Sequence, residues 1–386
     1  MSNPTTWRIL MVDDDTVTCD LVREYLEGES LVDPQDSVQV EALTEFRAAL
    51  KALEEHRFDV LILDVRLQTR GETPEQEAGV AALDAIRQKR FIPVVFYTGL
   101  PHLVRHLQTP LVQVVEKTRD LPGLLEAVKS IFASRLPMVS RALLHHMEAV
   151  QRDYMWDFVA QNWEQLGDTS DRTALAYLLA RRLAISLSGP GIRQLARELG
   201  DPAGAAAIEG HVHPMQYYIV PPVESAPLAG DLYQGTVSNK EGYWVLLTPS
   251  CDLVSGREKA EWVLFGHCVL LTEQAEYQNW NGSLPQPSNN ARKALDGLLS
   301  NNRKDSQPER FHFLPGALSL PDLLVDFQQV EALSRTSMSN LKRLASLDSP
   351  FAEAMLSRFI RYFGRLGTPD LDLDVEVARL RSRISE

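Results

Sequence analysis

Four short runs hold residues that could do chemistry together. Asp13-Asp14-Asp15 supplies three adjacent carboxylates, Asp64 a further one, Thr98 a hydroxyl and Lys117 an amine. Clustered carboxylates repel one another unless a cation sits among them. An oxygen-only set with one or two carboxylates and several waters suits Mg²⁺. In such a set Asp64 can act as a nucleophile toward phosphorus and form an aspartyl phosphate. The metal and the Lys117 ammonium would neutralise charge developing on the transferred phosphoryl group. Thr98 would bond a phosphoryl oxygen and draw its loop inward, a local switch with a wider readout.

Each of these residues ends an apolar run. The runs are Met11-Val12-Asp13, Leu61-Ile62-Leu63-Asp64, Val95-Phe96-Tyr97-Thr98-Gly99 and Val114-Val115-Glu116-Lys117. Composition predicts strands at Arg8–Val12, Val38–Val40, Val60–Leu63, Pro93–Tyr97 and Val112–Val115. Helical spacing predicts helices at Thr16–Glu27, Thr44–Glu55, Gly79–Lys89, Pro101–Leu107 and Leu121–Ala133. Such alternation means βαβ units and a parallel sheet, whose buried strands are nearly continuously apolar. In a doubly wound α/β sheet, ligands bind outside the carboxyl ends of the strands. The acids, the hydroxyl and the amine are therefore expected in one crevice.

In these motifs the segment of about residues 5–135 resembles the receiver domain of two-component response regulators. That family has an acidic pair after strand one, a phosphoacceptor aspartate ending strand three, a Thr or Ser ending strand four and a Lys ending strand five. Here these positions are Asp13-Asp14, Asp64, Thr98 and Lys117, with the usual small residue at Gly99. The resemblance implies a five-stranded parallel sheet of order 2-1-3-4-5. It implies Mg²⁺ on Asp13, Asp14, Asp64 and the backbone carbonyl of Arg66, and a histidine kinase or other ATPase as phosphodonor. The sequence departs from the family in four places. Thr118 stands where Pro usually follows the lysine, and Val114 where an aromatic switch residue is common. The loop Arg66–Glu77 is long, and the short stretch from Thr98 to Lys117 predicts a trimmed fourth helix. Asp14 or Asp15 could instead cap the first helix. Cys19 reads as a small buried residue of that helix.

Beyond the receiver segment, 136–210 reads as a helical connector, with helices predicted at Met138–Leu166 and Asp171–Leu199, the latter interrupted at Gly189-Pro190-Gly191. Residues 211–386 read as an α+β output domain with a small β-barrel or sheet. Strands are predicted at Gln216–Val220, Trp244–Leu247, Trp262–Phe265 and Cys268–Leu271, and helices from about Leu323 to the end. Ala229-Gly230-Asp231-Leu232-Tyr233 suggests a barrel opening. Its most unusual run is Thr248-Pro249-Ser250-Cys251-Asp252, a turn after an apolar strand. Cys251 beside Asp252 could be a nucleophile with His267, His211 or His213 as base; the alternative is a tight turn with a buried thiol. His211, His213, Cys251 and Cys268 are zinc-ligand types without a compact zinc spacing. Ile192–Gly200 is similar to the first helix of a helix-turn-helix, but Asp201–Ala207 makes no recognition helix. Arg358, Arg361 and Arg365 share a helix face and could meet phosphates, an acidic partner or solvent. The segments around Arg343 and Arg365 loosely resemble the C-terminal parts of bacterial conflict-system proteins with divergent receivers, which implies a setting in phage defence.

The charge narrows the classes. The 386 residues carry 52 acids against 39 bases, net −13. Residues 1–135 hold 15 bases and 22 acids, and residues 136–386 hold 24 and 30, so neither part has the excess of bases expected of a dedicated DNA-binding module. The polar N-terminus, three scattered cysteines and the lack of an apolar run of about 20 residues point to a cytoplasmic protein without a disulfide framework or membrane span. A homodimer is compatible with this reading. Three outputs remain open for the C-terminal part: a protein-interaction module, a hidden hydrolase or nuclease around Cys251, and a DNA-binding regulator.

Overall fold

The computed structural model describes residues 4–65, 78–117, 121–163, 172–187, 212–223, 225–304, 307–365 and 371–384. They fall into two compact units, Met1–Glu209 and Gly210–Glu386. No helix among the described residues is long and apolar enough to cross a membrane.

The first unit runs β1 (Thr6–Val12), α1 (Thr16–Glu27), β2 (Ser37–Leu43), α2 (Phe46–Glu55), β3 (Val60–Leu63), α3 (Ala78–Lys89), β4 (Val94–Thr98), α4 (Pro101–Val104), β5 (Val112–Glu116) and α5 (Pro122–Ala133). The five strands are parallel, in the order β2-β1-β3-β4-β5. Successive strand side chains point to opposite faces. Ile9 and Met11 accordingly pack with Val22 and Leu26 of α1 and Val128 and Phe132 of α5. Leu10 and Val12 pack with Leu53 of α2 and Leu83 and Ile86 of α3. Helices on both faces are why the inner strands β3 and β4 are nearly continuously apolar, while the edge strand β2 carries Ser37, Gln39 and Glu41. Helix α4 is cut to four residues and a 3₁₀ turn, Arg105–Leu107, as the short stretch before Lys117 predicts. Cys19 is buried in α1, and burial pushes its thiol up to about 11, so it is a core residue rather than a reactive one.

Arg135, in the left-handed region at φ 60°, separates α5 from α6 (Leu136–Asp153). The long helix predicted to Leu166 stops being α-helical at Asp153 and continues as a π-helical turn, Tyr154–Val159. Helix α7 follows at Arg172–Ser186. The Gly189-Pro190-Gly191 break and the Ile192–Gly200 segment lie outside the described residues. Helix α6 is anchored to the sheet by Arg141. Its Nη2 donates to the Thr6 carbonyl at 2.8 Å and lies 3.3 Å from Asp59 Oδ2, and its guanidinium sits 4.6 Å above the Trp7 ring. Asp59 also accepts the Arg8 backbone N–H. Burial raises the Asp59 carboxyl above its ordinary value, with Arg141 opposing.

The second unit is built on a seven-stranded antiparallel sheet, the sheet alternative of the predicted α+β domain. Its strands are β6 (Tyr218–Ile219), β7 (Asp231–Val237), β8 (Lys240–Leu246), β9 (Trp262–Leu270), β10 (Phe311–Leu314), β11 (Leu323–Ser334) and β12 (Lys342–Leu347), in the order β10-β11-β9-β8-β7-β12-β6. Helices α8 (Ala275–Gly282) and α9 (Asn289–Leu299) precede β10, and α10 (Phe351–Phe363) and α11 (Leu373–Ile384) follow β12. The expectation of helices from Leu323 onward is therefore wrong for its first part. Leu323–Phe327 is an apolar run that pairs with β9 on one side and β10 on the other, and pairing resumes at Val330 after a bulge. The helix-favouring residues that follow are overridden by this tertiary pairing. One apolar cluster joins Leu232, Val245, Val325 and Ala345 to Met355 and Tyr362 of α10. A second gathers Tyr233, Trp244, Leu246 and Phe265 with Met338.

His312 on β10 gives this unit a pH dependence. It is buried, its Nδ1 has no hydrogen-bond partner among the described residues, and burial, followed by the Arg358 charge, lowers its pKa from 6.5 to about 4. Between those values the unfolded chain takes up a proton that the folded unit refuses. The stability contributed by the neutral ring is thus complete above pH 6.5 and lost as pH falls toward 4, about 3 kcal/mol in all. Denaturant melts of wild type and His312→Leu across this range should show a slope shallower by that amount in the variant. Equal slopes would assign the acid sensitivity elsewhere.

Candidate functional site

The four sequence motifs of the first unit meet at the carboxyl edge of its sheet. Backbone hydrogen bonds extend the ladder past the strands: Asp13 N–H donates to the Leu43 carbonyl at 3.1 Å and Asp64 N–H to the Val12 carbonyl at 3.0 Å. This fixes both carboxylates side by side, at 0% and 1% exposure. Lys117 N–H donates to the Thr98 carbonyl at 2.8 Å, which sets the base of its side chain. Its Nζ donates to Asp13 Oδ1 at 3.0 Å and to Asp64 Oδ2 at 3.2 Å, and lies 2.8 Å from Asp13 Oδ2. One oxygen each from Asp13, Asp14 and Asp64 falls within 4.8 Å of the others. Among the described residues this is the one such group of metal-ligand types.

Burial raises the Asp13 carboxyl above the ordinary carboxylate range, with hydrogen bonds from Lys117 and the Asp15 amide opposing. For Lys117, burial alone would lower the pKa. The bond to Asp13 and the charges of Asp13 and Asp64 outweigh it and hold the amine above its usual value, as an ammonium. Asp13 Oδ2 is buried, with the Lys117 Nζ 2.8 Å away. A buried carboxylate oxygen is suited to a cation. Asp15 does something else: it caps α1, accepting from the Val17 N–H at 3.1 Å and the Thr18 hydroxyl at 2.6 Å. The Thr18 bond holds it below the usual range. Two of the three adjacent carboxylates thus join Asp64, and the third serves the helix. Thr98 is fully buried, and its Oγ1 accepts the Leu100 N–H at 3.2 Å. Its hydroxyl hydrogen has no acceptor among the described residues. Val114 packs against the cluster on the α2–α3 face. Arg66, the loop to Glu77, and Thr118 lie outside the described residues.

The C-terminal candidates are not brought together in the same way. Cys251 is exposed in a 3₁₀ turn, Ser250–Asp252, and its Sγ meets Asp252 Oδ1 at 3.7 Å and no histidine among the described residues. His267 is buried in β9 with its ring edge against Trp244, 4.8 Å between centroids, and burial lowers its pKa. His213 caps the following turn by accepting the Met215 N–H, Cys268 is buried with its thiol pushed up, and His211 is outside the described residues. The turn itself is structural: Thr248 Oγ1 accepts the Leu264 N–H at 2.7 Å and Ser250 Oγ the Ala229 N–H at 2.9 Å. The arginine face of α10 is occupied by its own unit. Arg358 donates to the Phe311 and Asn301 carbonyls, Arg361 pairs with Glu309, and Arg365 lies 3.8 Å over the Tyr362 ring.

Two buried carboxylates had no assigned role in the sequence. Asp231 is fully buried and held by Arg343, Ser346 and the Leu228 N–H; Asp326 is held by both arms of Arg310. The signal was present in each case, an acid inside an apolar strand run (Gly230-Asp231-Leu232 and Val325-Asp326-Phe327).

A parallel 2-1-3-4-5 sheet with acids, a hydroxyl and an ammonium at its carboxyl edge is the architecture of a receiver. Residues 9–129 match the model of the response regulator receiver domain, and this part of the chain is a receiver domain, which indicates response-regulator-like signalling; the C-terminal part is not assigned by it. Solved structures similar to the chain include the response regulator TrrA of Thermotoga maritima in complex with Mg²⁺-BeF, 22% identical over 32% of this chain and 98% of that one, TM-score 0.26. A CheY-like receiver domain protein of Methanospirillum hungatei is 21% identical over 33% and 95%, TM-score 0.26. A two-component response regulator of Clostridium difficile is 17% identical over 34% and 98%, TM-score 0.27. No curated protein matches the chain.

Proposed function

We propose that the protein accepts a phosphoryl group on Asp64 and uses it to switch the C-terminal unit. The observation that carries this reading is the Lys117 ammonium held between the buried carboxylates of Asp13 and Asp64, with an Asp14 oxygen within 4.8 Å of theirs. Asp13, Asp14 and Asp64 would hold Mg²⁺ together with the backbone carbonyl of Arg66. The ion, when bound, supplies positive charge to the oxygens of the phosphoryl group in transit.

The chain's own residues do the rest. A carboxylate oxygen of Asp64 attacks phosphorus as the bond from phosphorus to the donor's leaving group breaks, and the leaving group departs with that electron pair. Lys117, already in contact with Asp64, exchanges that contact for a phosphoryl oxygen. Thr98 turns its unused hydroxyl hydrogen to another oxygen, which pulls on the Gly99-Leu100 loop. With Val114 in place of an aromatic residue, no ring follows that movement, so the signal leaves by the loop and α4. The phosphodonor is a histidine kinase or another ATPase. The C-terminal unit is the output, read as a protein-interaction module, and phage defence is the setting that its resemblance suggests.

Intact-mass measurement after incubation with acetyl phosphate tests the site. Wild type with Mg²⁺ is expected to gain one phosphoryl group; Asp64→Asn with Mg²⁺, and wild type with EDTA, are expected to gain none. Equal gain in Asp64→Asn would move the acceptor to another residue.

A further inference from the structure

At the other end of the receiver sheet, a cavity of about 460 Å³ opens between the amino ends of the strands and α6. Four arginines line it: Arg8, Arg57, Arg90 and Arg141. Asp59 is the one lining carboxylate. Three of the guanidinium groups have acidic partners: Arg8 has Glu41, Arg57 has Glu148 at 2.7 Å, and Arg141 has Asp59. Arg90 gives one N–H to the His56 carbonyl and pairs with no carboxylate among the described residues. Burial, and then the nearby Arg57 charge, holds its guanidinium below the usual value. Arg90 leaves the four guanidinium groups one charge in excess of their carboxylate partners, and a positive excess beside a cavity favours an anion, as clustered carboxylates favour a cation.

The chemistry of that anion follows from the walls. Guanidinium forks match phosphate oxygens and make charge-assisted bonds to them. The volume lies in the range of about 300–1,000 Å³ typical of small-molecule sites, well beyond one phosphate ion. Phe91, 57% exposed, with Leu144 and Pro137 gives it an apolar wall. We propose that this cavity binds a small organic phosphate, its phosphoryl group on Arg90 and Arg57 and its organic part against Phe91 and Leu144. Arg57 and Arg90 belong to the sheet side and Leu144 to α6, so the ligand would tie the connector helix to the receiver. The cavity reaches Asp59, just before β3, while Asp64 follows the other end of that strand, and the ligand would be a second input to the same domain.

Titration calorimetry on the full chain tests this, in low-salt buffer with EDTA to silence the carboxylate cluster. The probes are AMP, ribose 5-phosphate and inorganic phosphate. At least one organic phosphate is expected to bind with a single site, and inorganic phosphate to bind about tenfold or more weaker. Arg90→Gln and Arg57→Gln are each expected to weaken the organic phosphate by about tenfold or more, the effect of losing a charge-assisted hydrogen bond. Phe91→Ala, an exposed position that leaves the fold intact, should weaken the organic phosphate and leave inorganic phosphate unchanged. Asp64→Asn should change none of these, which separates this site from the phosphoacceptor reading. No saturable binding of either organic phosphate, or binding that Arg90→Gln and Phe91→Ala leave intact, overturns the proposal, as does inorganic phosphate binding as tightly as the organic probes.

Discussion

Replacement of Lys117 by Met is expected to slow phosphoryl uptake from acetyl phosphate by roughly 10²- to 10³-fold, the usual cost of removing one group aimed at charge developing in a transition state. On the proposed chemistry the ammonium has two jobs, and the substitution removes both. Toward the donor, it offsets charge on the phosphoryl oxygens. Toward the resting protein, it offsets the repulsion between Asp13 and Asp64, both almost completely buried and both within reach of Nζ. Without it the carboxylates face each other with no cation of the chain between them. One of them then takes up a proton more readily, Asp13 first, since burial already raises its pKa. The remaining phosphorylation of Lys117→Met should therefore rise with pH over a higher range than that of wild type. Mg²⁺ should raise the thermal midpoint of the variant more than that of wild type, because the ion replaces the lost charge. A time course of intact mass at saturating donor and Mg²⁺ reads the rate. A variant phosphorylated at the wild-type rate would remove Lys117 from the proposed chemistry.

The second large effect lies in the other unit. Arg343→Met is expected to destabilise it by about 3–5 kcal/mol, the cost of leaving a buried charge uncompensated. Asp231 is fully buried, with Arg343 Nε 2.7 Å from Oδ2 and Nη2 donating to Oδ1 at 3.0 Å. The Ser346 hydroxyl and the Leu228 N–H complete its shell at 2.6 and 2.7 Å. These bonds join β7 to β12, the fifth and sixth strands of seven, with β6 pairing outside them. Adding Asp231→Asn to Arg343→Met removes the orphaned charge, and the double variant should recover part of the loss. Urea denaturation followed by tryptophan fluorescence, with Trp244 buried in the same sheet, measures both. A single variant within about 1 kcal/mol of wild type would show that water or a rearranged partner replaces the guanidinium.

The two halves of the chain differ in how openly their residues declare the fold. In the receiver, strands buried on both faces must be apolar throughout, so Leu61-Ile62-Leu63 and Val94-Val95-Phe96 announce themselves, and the polar residue that ends each run marks the crevice. The meeting of Asp13, Asp64 and Lys117 follows from strand order and needs no long-range guess. The arrangement in which Asp13 and Asp14 join the cluster while Asp15 caps α1 depends on a backbone turn that adjacent identical residues cannot reveal. In the C-terminal unit the decisive partners are far apart in sequence. Gln328 to Ser334 reads as helix locally and is strand because β9 is there to pair with it. The arginine face of α10 has helical spacing, but its acceptors are Asn301, Glu309, Gln307 and the Phe311 carbonyl, which no local pattern connects to it. Cys251 and His267 stay apart for the converse reason: one lies on an exposed turn, the other inside the sheet.

Arg141 bears on where the receiver ends as a piece of matter. The family match stops at residue 129, and α5 closes the sheet at Ala133. Yet the Thr6 carbonyl, the Trp7 ring and the Asp59 carboxylate are all covered from a helix that begins only at Leu136. A chain cut after α5 would strip the sheet of this clasp and leave a half-buried acid facing water at the start of its central strand. The side chains that cover this end of the sheet therefore extend past the matched region and into α6. The first turns of α6 thus pack as part of the first unit's sheet layer.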